Sequence, residues 1–204
     1  MKRGFTVAGL VLAGVFFLFG VMSVPISDAA TYNFTYSTFF PPTHIQTKVP
    51  EAWAKEIEER SDGQIKIQIF TGGSLTPAPQ IYDGVVKGIS DFGLSVLAYS
   101  AGRFPVLSAV DNPLGYPNAF VATRVINELN RKFKPKELDD VHICYLFGHG
   151  PGLLHTARKP VHKLEEVKGM KIRSTGTSQL IVRAMGAAPV AMSQGETYDA
   201  LKKN

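Results

Sequence analysis

Cysteine is almost absent from this sequence of 204 residues, which contains Cys144 alone. One thiol cannot form a disulfide within the chain, so the fold must depend on packing rather than on cross-links. Cys144 stands between Ile143 and Tyr145 in an apolar run, a setting typical of a buried, unreactive thiol. A reactive thiol is the other interpretation of the same residue.

The common sequence signatures of enzymes are missing as well. The chain has no nucleophile elbow, no phosphate-binding loop, no dinucleotide fingerprint and no zinc-protease helix. His149 and His155 flank a Gly/Pro turn without a nearby carboxylate, which favours hydrogen-bonding histidines over metal ligands. We therefore expect no catalytic residue, no metal and no cofactor. A secreted hydrolase using Ser174 or His149 stays open as the competing class.

The sequence also lacks a strong excess of charge. Its formal net charge is +5, and the basic residues are mostly interleaved with acidic ones. Proteins that bind nucleic acid usually concentrate positive charge in a patch or stripe, so we expect no nucleic-acid partner. A mild positive balance is compatible with an anionic ligand.

The first thirty residues have the pattern of an export signal. Lys2 and Arg3 precede an apolar run over residues 5–24, and small residues follow at positions 27, 29 and 30. This pattern predicts a signal peptide over residues 1–30, cleaved after Ala29 or Ala30, and a periplasmic protein. An uncleaved membrane anchor is the alternative, and the absence of a following cysteine argues against a lipid anchor.

The rest of the chain alternates between strand-like and helix-like segments, which predicts the α/β class. Strands are expected at "TYNFTYS", "QIKIQIF", "ISDFGLSVL", "VHICYLF", "LLHTA", "MKIR" and "APVAM". Helices are expected over residues 44–61, with a kink or restart at Pro50, over residues 80–87 and 118–133, and in "TSQLIVRAM". Ser193 and Glu196 have capping-box spacing for a last helix.

Arg173 is the strongest candidate binding residue. It ends a predicted strand and precedes Ser174-Thr175-Gly176 and a helix start, so its guanidinium could meet an anion beside backbone N–H groups. A planar guanidinium binds a carboxylate through two parallel hydrogen bonds. An ordinary surface arginine is the other interpretation of the residue taken alone.

Several motifs resemble the solute-binding proteins of tripartite ATP-independent periplasmic (TRAP) transporters, the DctP-like family. They are "KGMKIR", "MGAAPVAM" and "ETYDAL", preceded by "AWAKEIEERSDGQIKIQIFTGGSL" and "YDGVVKGISDFGLS". The resemblance implies a periplasmic-binding-protein-like, two-lobed α/β fold of type II-like architecture. With the Gly/Pro-rich turn at residues 148–152, it implies a first lobe over residues 31–149 and a second from 150 to 204.

The resemblance also implies a function and a set of binding residues. The function is capture of a small organic carboxylate for the membrane subunits of a TRAP transporter, with a receptor for another importer or sensor as the alternative. Arg173 falls on the family arginine that pairs with the carboxylate. By position in the pattern, the other cleft residues are Phe39, His44, Ser95, Val96, Leu153 and Gln194.

Two departures from the family pattern carry further expectations. A sialic-acid binder would have a second arginine in place of Leu153 and polar or acidic groups in place of Phe39 and Val96. These substitutions predict a less polar ligand, such as a keto, hydroxy or aromatic acid. The family also continues for about a hundred residues beyond Leu201, so we expect an incomplete second lobe, exposed apolar surface and weak binding or none.

Overall fold

The computed structural model describes residues 31–100, 102–157 and 159–203. The predicted signal peptide over residues 1–30 lies outside them. None of the helices in this described part is both long and apolar enough to cross a membrane.

The first sheet has three parallel strands joined by two helices. The strands are β1 (Tyr32–Thr38), β2 (Ile65–Phe70) and β3 (Phe92–Leu94), and the helices are α1 (Ile45–Arg60) and α2 (Ile81–Val86). The order across the sheet is β2-β1-β3, with Tyr36 opposite Ile69 on one side and Phe92 on the other. Parallel neighbours require a crossover connection, and each helix supplies one. The predicted α/β class is thus confirmed.

Helix α1 lies close to its predicted position but differs at Pro50. The imidazole of His44 caps its first turn by accepting the N–H of Gln46 at 3.1 Å. The helix then continues through Pro50, so the predicted restart does not occur. Pro50 is buried, and packing therefore holds the helix together where the proline omits a hydrogen bond.

Aromatic and aliphatic side chains from these elements form the first core cluster. Its buried members are Tyr36, Phe39, Phe40, Ala78, Ile81 and Leu94. Trp53 of α1 packs edge-on against Phe92 of β3 at 5.4 Å between ring centroids. As the alternation in the sequence predicts, Ile65, Ile67 and Ile69 are more buried than the intervening Lys66 and Gln68.

A second core cluster lies under helix α3 (Ala119–Phe133). Its buried members are Tyr82, Phe104, Leu107, Ile126 and Leu138. Asn118 caps α3 by accepting the N–H of Val121 at 3.0 Å. Ile126 is buried on the predicted apolar face, with Leu129 packed beside it.

Arg103 joins helix α2 to the turn after α3. Its guanidinium binds Asp83 at 2.5 Å and Asp140 at 2.6 Å and lies 4.3 Å above the Tyr82 ring. The Tyr82 hydroxyl donates to the same Asp140 carboxylate. That hydrogen bond, opposed by desolvation and aided by Arg103, holds the pKa of Asp140 below its usual value.

Replacing Asp140 with asparagine is expected to lower the stability by about 0.5–1 kcal/mol at pH 7, since the pair is partly exposed. The folded-state pKa of Asp140 lies below the unfolded value of about 3.9. The contribution is therefore present above that value and disappears as the pH falls through the folded value. Urea unfolding at several pH values checks this: the stabilities of wild type and Asp140→Asn should converge as the pH falls through the lowered folded-state pKa of Asp140. Asp139→Asn provides the control, because it removes a neighbouring carboxylate outside this network and should change the stability little at pH 7.

The second sheet contains two parallel strands. They are β4 (Lys171–Ser174) and β5 (Ala188–Ala191), joined by helix α4 (Ser178–Ala184) and followed by α5 (Gln194–Lys203). Val167, Val182 and Ala187 form a third core cluster against them. Gly186 ends α4 in a left-handed conformation, as predicted.

Two predicted strands are absent. Residues 141–147 and 153–157 are in neither helix nor strand, because a strand needs a hydrogen-bonded neighbour and no described strand pairs with them. Cys144 is exposed, contrary to the prediction, since Ile143 and Leu146 take the inward positions against the second core cluster. The predicted apolar exposure is present here, at Tyr145, Phe147, Leu153 and Leu154.

Candidate binding cleft

A cleft of about 420 Å³ opens where loops that follow the parallel strands come together. One wall, which follows β1 and β2, consists of Phe39, Gly72, Gly73, Pro77, Ala78, Pro79 and Gln80. The other, which follows β5, consists of Ser193, Gly195 and Glu196. The carboxyl ends of parallel strands are the usual location of ligand sites in α/β proteins. We refer to these two sets as the aromatic wall and the turn wall.

Two of the sequence-predicted residues precede α1, and the structure separates their roles. Phe39 is buried at the base of the aromatic wall, with its ring 4.2 Å from that of Phe40 and 5.4 Å from that of Tyr99. The His44 ring stacks on that of Phe40 at 4.2 Å between centroids, and its imidazole caps α1. Phe39 therefore lines the cleft, whereas His44 lies behind it, packed against Phe40.

Ser95 and Val96 follow β3 and are half-buried. Val96 packs against the first core cluster and begins the short 3-10 turn Leu97–Tyr99. Neither residue lines the cleft among the described residues. These two residues instead connect β3 to the 3-10 turn that contains Tyr99.

Arg173 lies near the end of β4 with an exposed side chain and, like Ser95 and Val96, is not among the described residues that line the cleft. Its Nε donates to the carbonyl oxygen of Met192 at 3.1 Å, one residue before Ser193. Within the described part of the chain, the two terminal nitrogens of the guanidinium have no partner. A single backbone bond thus orients the group while its outer N–H donors stay available to an anion.

The predicted capping box forms part of the turn wall. The carboxylate of Glu196 accepts the backbone N–H of Ser193 at 2.7 Å and its hydroxyl at 2.6 Å. These two bonds hold the pKa of Glu196 below its usual value, and the charge of Arg173 acts in the same direction. Both bonds use Oε2 of Glu196, and no direct ion pair between Glu196 and Arg173 is present among the described residues.

Gln194 and Leu153 complete the predicted set. Gln194 lies between two residues of the turn wall, and its backbone N–H donates to the hydroxyl of Tyr99 at 3.0 Å. Leu153 is 69% exposed in an irregular segment and does not line the cleft. Its assignment to the site stays a prediction.

The residues of the hydrolase alternative do not form a catalytic pair. Ser174 is buried, and its hydroxyl has no hydrogen-bond partner among the described residues. His149 is exposed, with Nδ1 2.6 Å from the carbonyl oxygen of Gly150. A serine nucleophile needs a base within hydrogen-bonding distance, and no described residue provides one.

Sequence reasoning missed several residues of the cleft. Gly72 and Gly73 follow a predicted strand after one intervening residue, Thr71, a pattern that can signal close approach to a ligand. Ser193 and Glu196 had been recognised only as a helix cap. Tyr99 gave no signal, because its partners are distant in the sequence.

Comparison with known proteins matches residues 36–204 to the family described as bacterial extracellular solute-binding protein, family 7. A solute-binding protein of Albidiferax ferrireducens is 31% identical over 156 residues, which are 74% of this chain and 45% of that protein. The 2,3-diketo-L-gulonate-binding periplasmic protein YiaO of Escherichia coli is 23% identical over 91% of this chain and 58% of its own length. The chain thus spans about half the length of the curated relatives it matches.

Solved structures of TRAP solute-binding proteins match the fold. One from Rhodoferax ferrireducens, in complex with benzoate, has a TM-score of 0.78 at 28% identity and covers 85% of this chain and 55% of its own. A marine metagenome protein with 3-hydroxybenzoate has a TM-score of 0.79 at 28% identity, with the same coverage. A Bordetella bronchiseptica protein with mandelate has a TM-score of 0.75 at 28% identity, covering 84% of this chain and 56% of its own.

Proposed function

Since the chain belongs to bacterial extracellular solute-binding protein family 7, we propose that it captures a small organic carboxylate outside the cytoplasm for a TRAP-type transporter. The resemblance noted from the sequence motifs is confirmed by this match and by the TRAP solute-binding structures of the same fold. The periplasmic location and the membrane subunits as partners are parts of the proposal.

The observation that carries the proposal is the orientation of Arg173 beside the turn wall. Its Nε donates to the backbone of Met192, one residue before the turn wall, and its terminal nitrogens have no partner among the described residues. A carboxylate with two oxygens matches two parallel N–H donors, and such charge-assisted pairs are about twice as strong as neutral hydrogen bonds.

The ligand we propose is an aromatic or hydroxy acid. The lining combines the apolar side chains of Phe39, Pro77, Ala78 and Pro79 with the polar ones of Gln80, Ser193 and Glu196, which suits an acid with an apolar body and few polar groups. Neighbours that are 28% identical bind benzoate, 3-hydroxybenzoate and mandelate, which supports the same class. In this arrangement Arg173 binds the carboxylate and Phe39 contacts the body of the ligand.

The division into lobes over residues 31–149 and 150–204 is part of the same proposal. Binding-protein folds of this kind close around the ligand, and the ligand's preference for the closed form supplies the free energy of closure.

Ligand-observed NMR tests the proposal on the full 204-residue chain, exported to the periplasm of a bacterial host. Saturation transfer from protein to ligand is measured for benzoate and for benzamide, which has the same ring without the carboxylate. Transfer to benzoate that exceeds transfer to benzamide is the expected result. Equal transfer to both, or none at millimolar ligand, would remove carboxylate capture by this chain.

The transporter class is tested in the genome. A receptor for a TRAP transporter is encoded beside a small and a large membrane subunit, whereas a receptor for an ATP-driven importer is encoded beside an ATPase. The first arrangement supports the proposed partner, and the second would replace it.

A further inference from the structure

Tyr99 connects the two walls of the cleft. It ends the 3-10 turn that follows β3, and its ring meets Phe39 edge-on at 5.4 Å with an interplanar angle of 68°. Its hydroxyl accepts the backbone N–H of Gln194 at 3.0 Å. Phe39 belongs to the aromatic wall, and Gln194 lies between Ser193 and Gly195 of the turn wall. One side chain therefore contacts both sides of the cleft.

The donor in this bond has no alternative partner within its helix. Gln194 is the first residue of α5, and the first N–H groups of a helix have no carbonyl available to them. The Tyr99 hydroxyl satisfies this group across 95 positions of the sequence. Loss of the hydroxyl would leave the N–H to water and the turn wall without this connection.

The backbone segment that Tyr99 fixes also positions the side chain of Arg173. Met192 lies two residues before Gln194 in the same turn, and its carbonyl oxygen accepts the Nε of Arg173. The position of the guanidinium is thus linked to Tyr99 through one short backbone segment. A shift of that segment would change the distance between the guanidinium and Phe39.

The 3-10 turn that carries Tyr99 also packs closely against the turn that follows β4. Gly176, in the turn after β4, lies so close to Ala98 that an added Cβ would be 2.7 Å from the Ala98 Cβ. The turn therefore packs against the connections that follow both β4 and β5. Such a packed turn can hold Tyr99 in one place.

We propose that Tyr99 is a positioning residue that sets the width of the cleft and thereby selects acids with a flat ring over bulkier saturated acids. This rests on the proposed function, carboxylate capture. The hydroxyl keeps the turn wall at a fixed distance from Phe39, and a thicker ligand would have to break the bond to Gln194. Removing the hydroxyl while keeping the ring should therefore widen the range of acids that bind.

The first test needs no ligand and uses Tyr99→Phe in the full chain. Hydrogen–deuterium exchange at the Gln194 amide should be about 3- to 10-fold faster in the variant, as expected for loss of one hydrogen bond. Tyr116→Phe is the matched control, because the Tyr116 hydroxyl is buried without a described partner. Unchanged exchange at Gln194 in Tyr99→Phe would overturn the proposal.

The second test compares benzoate with cyclohexanecarboxylate, which has the same carboxylate on a thicker saturated ring. The ratio of their dissociation constants should favour benzoate in wild type and move toward unity in Tyr99→Phe, while Tyr116→Phe keeps the wild-type ratio. A ratio that stays the same in Tyr99→Phe would overturn the selective role even if both affinities fell together. Absence of binding in wild type would count against the proposed function, and the exchange measurement would still decide whether Tyr99 holds the turn wall.

Discussion

Replacing Arg173 with alanine is expected to weaken benzoate binding by at least about 30-fold, which corresponds to the lower end of a loss of about 2–5 kcal/mol. The carboxylate would lose both N–H donors and stay partly desolvated beside Phe39. The lower end applies because the guanidinium is exposed. The measurement is the dissociation constant from an NMR titration with benzoate.

Two further substitutions separate the contribution of the paired N–H donors of the guanidinium from that of its positive charge. Arg173→Lys keeps a positive charge but cannot form two parallel hydrogen bonds, so its affinity should lie between wild type and Arg173→Ala. Arg183→Ala removes an exposed arginine from the end of α4 and should leave binding unchanged. An Arg173→Ala protein that binds benzoate as tightly as wild type would eliminate the central residue of the proposed function.

Replacing Gly176 with alanine is expected to destabilise the fold by about 2–5 kcal/mol. Its φ of +47° is in the left-handed region, which costs about 1–2 kcal/mol for a residue with a Cβ. The new Cβ would also be 2.7 Å from the Cβ of Ala98, and crowding of this kind typically costs about 1–3 kcal/mol. Urea unfolding followed by circular dichroism measures the sum.

Gly169 provides the matched control for the cost of placing a Cβ on a residue with a left-handed backbone conformation. Its φ is +75°, and an added Cβ would have no neighbour within 4 Å, so Gly169→Ala should cost only the conformational part. Combining Gly176→Ala with Ala98→Gly should recover the part of the crowding due to the Ala98 Cβ, once the cost of Ala98→Gly alone is subtracted; the Ala98 Cα would still lie 3.1 Å from the new Cβ. If Gly176→Ala proved no more destabilising than Gly169→Ala, the contact between these two turns would have no energetic weight.

Much of the fold followed from local patterns in the sequence. The alternating isoleucines of β2, the apolar face of α3 and the glycine after α4 each depend on interactions within a few residues. Such features are visible to periodicity and to turn chemistry, and the structure has them where they were expected.

The missed features depend on distant parts of the chain. The apolar alternation in residues 141–147 is strand-like, but a strand exists only beside a partner, and no described strand pairs with it. The outward direction of Cys144 follows from which neighbours pack on the second core cluster. Neither fact is encoded in the local sequence.

The cleft shows the same division between local and distant information. Arg173 was predicted because a strand end followed by a glycine-containing turn is a local pattern, and its binding role stays a prediction. Phe39 was predicted from its position in the family pattern, and it lines the cleft. The contact between Tyr99 and Gln194 spans 95 positions, and it uses a backbone N–H that any residue would provide. No residue type at position 194 could therefore have indicated it.

Cys144 gives the molecule a built-in attachment point. It is the single thiol of the whole chain and it is exposed, so a maleimide dye would label one defined position without any engineered cysteine. Its neighbour Tyr145 stands in the exposed apolar segment, and the emission of such a dye would report whether that segment becomes covered when another polypeptide is added.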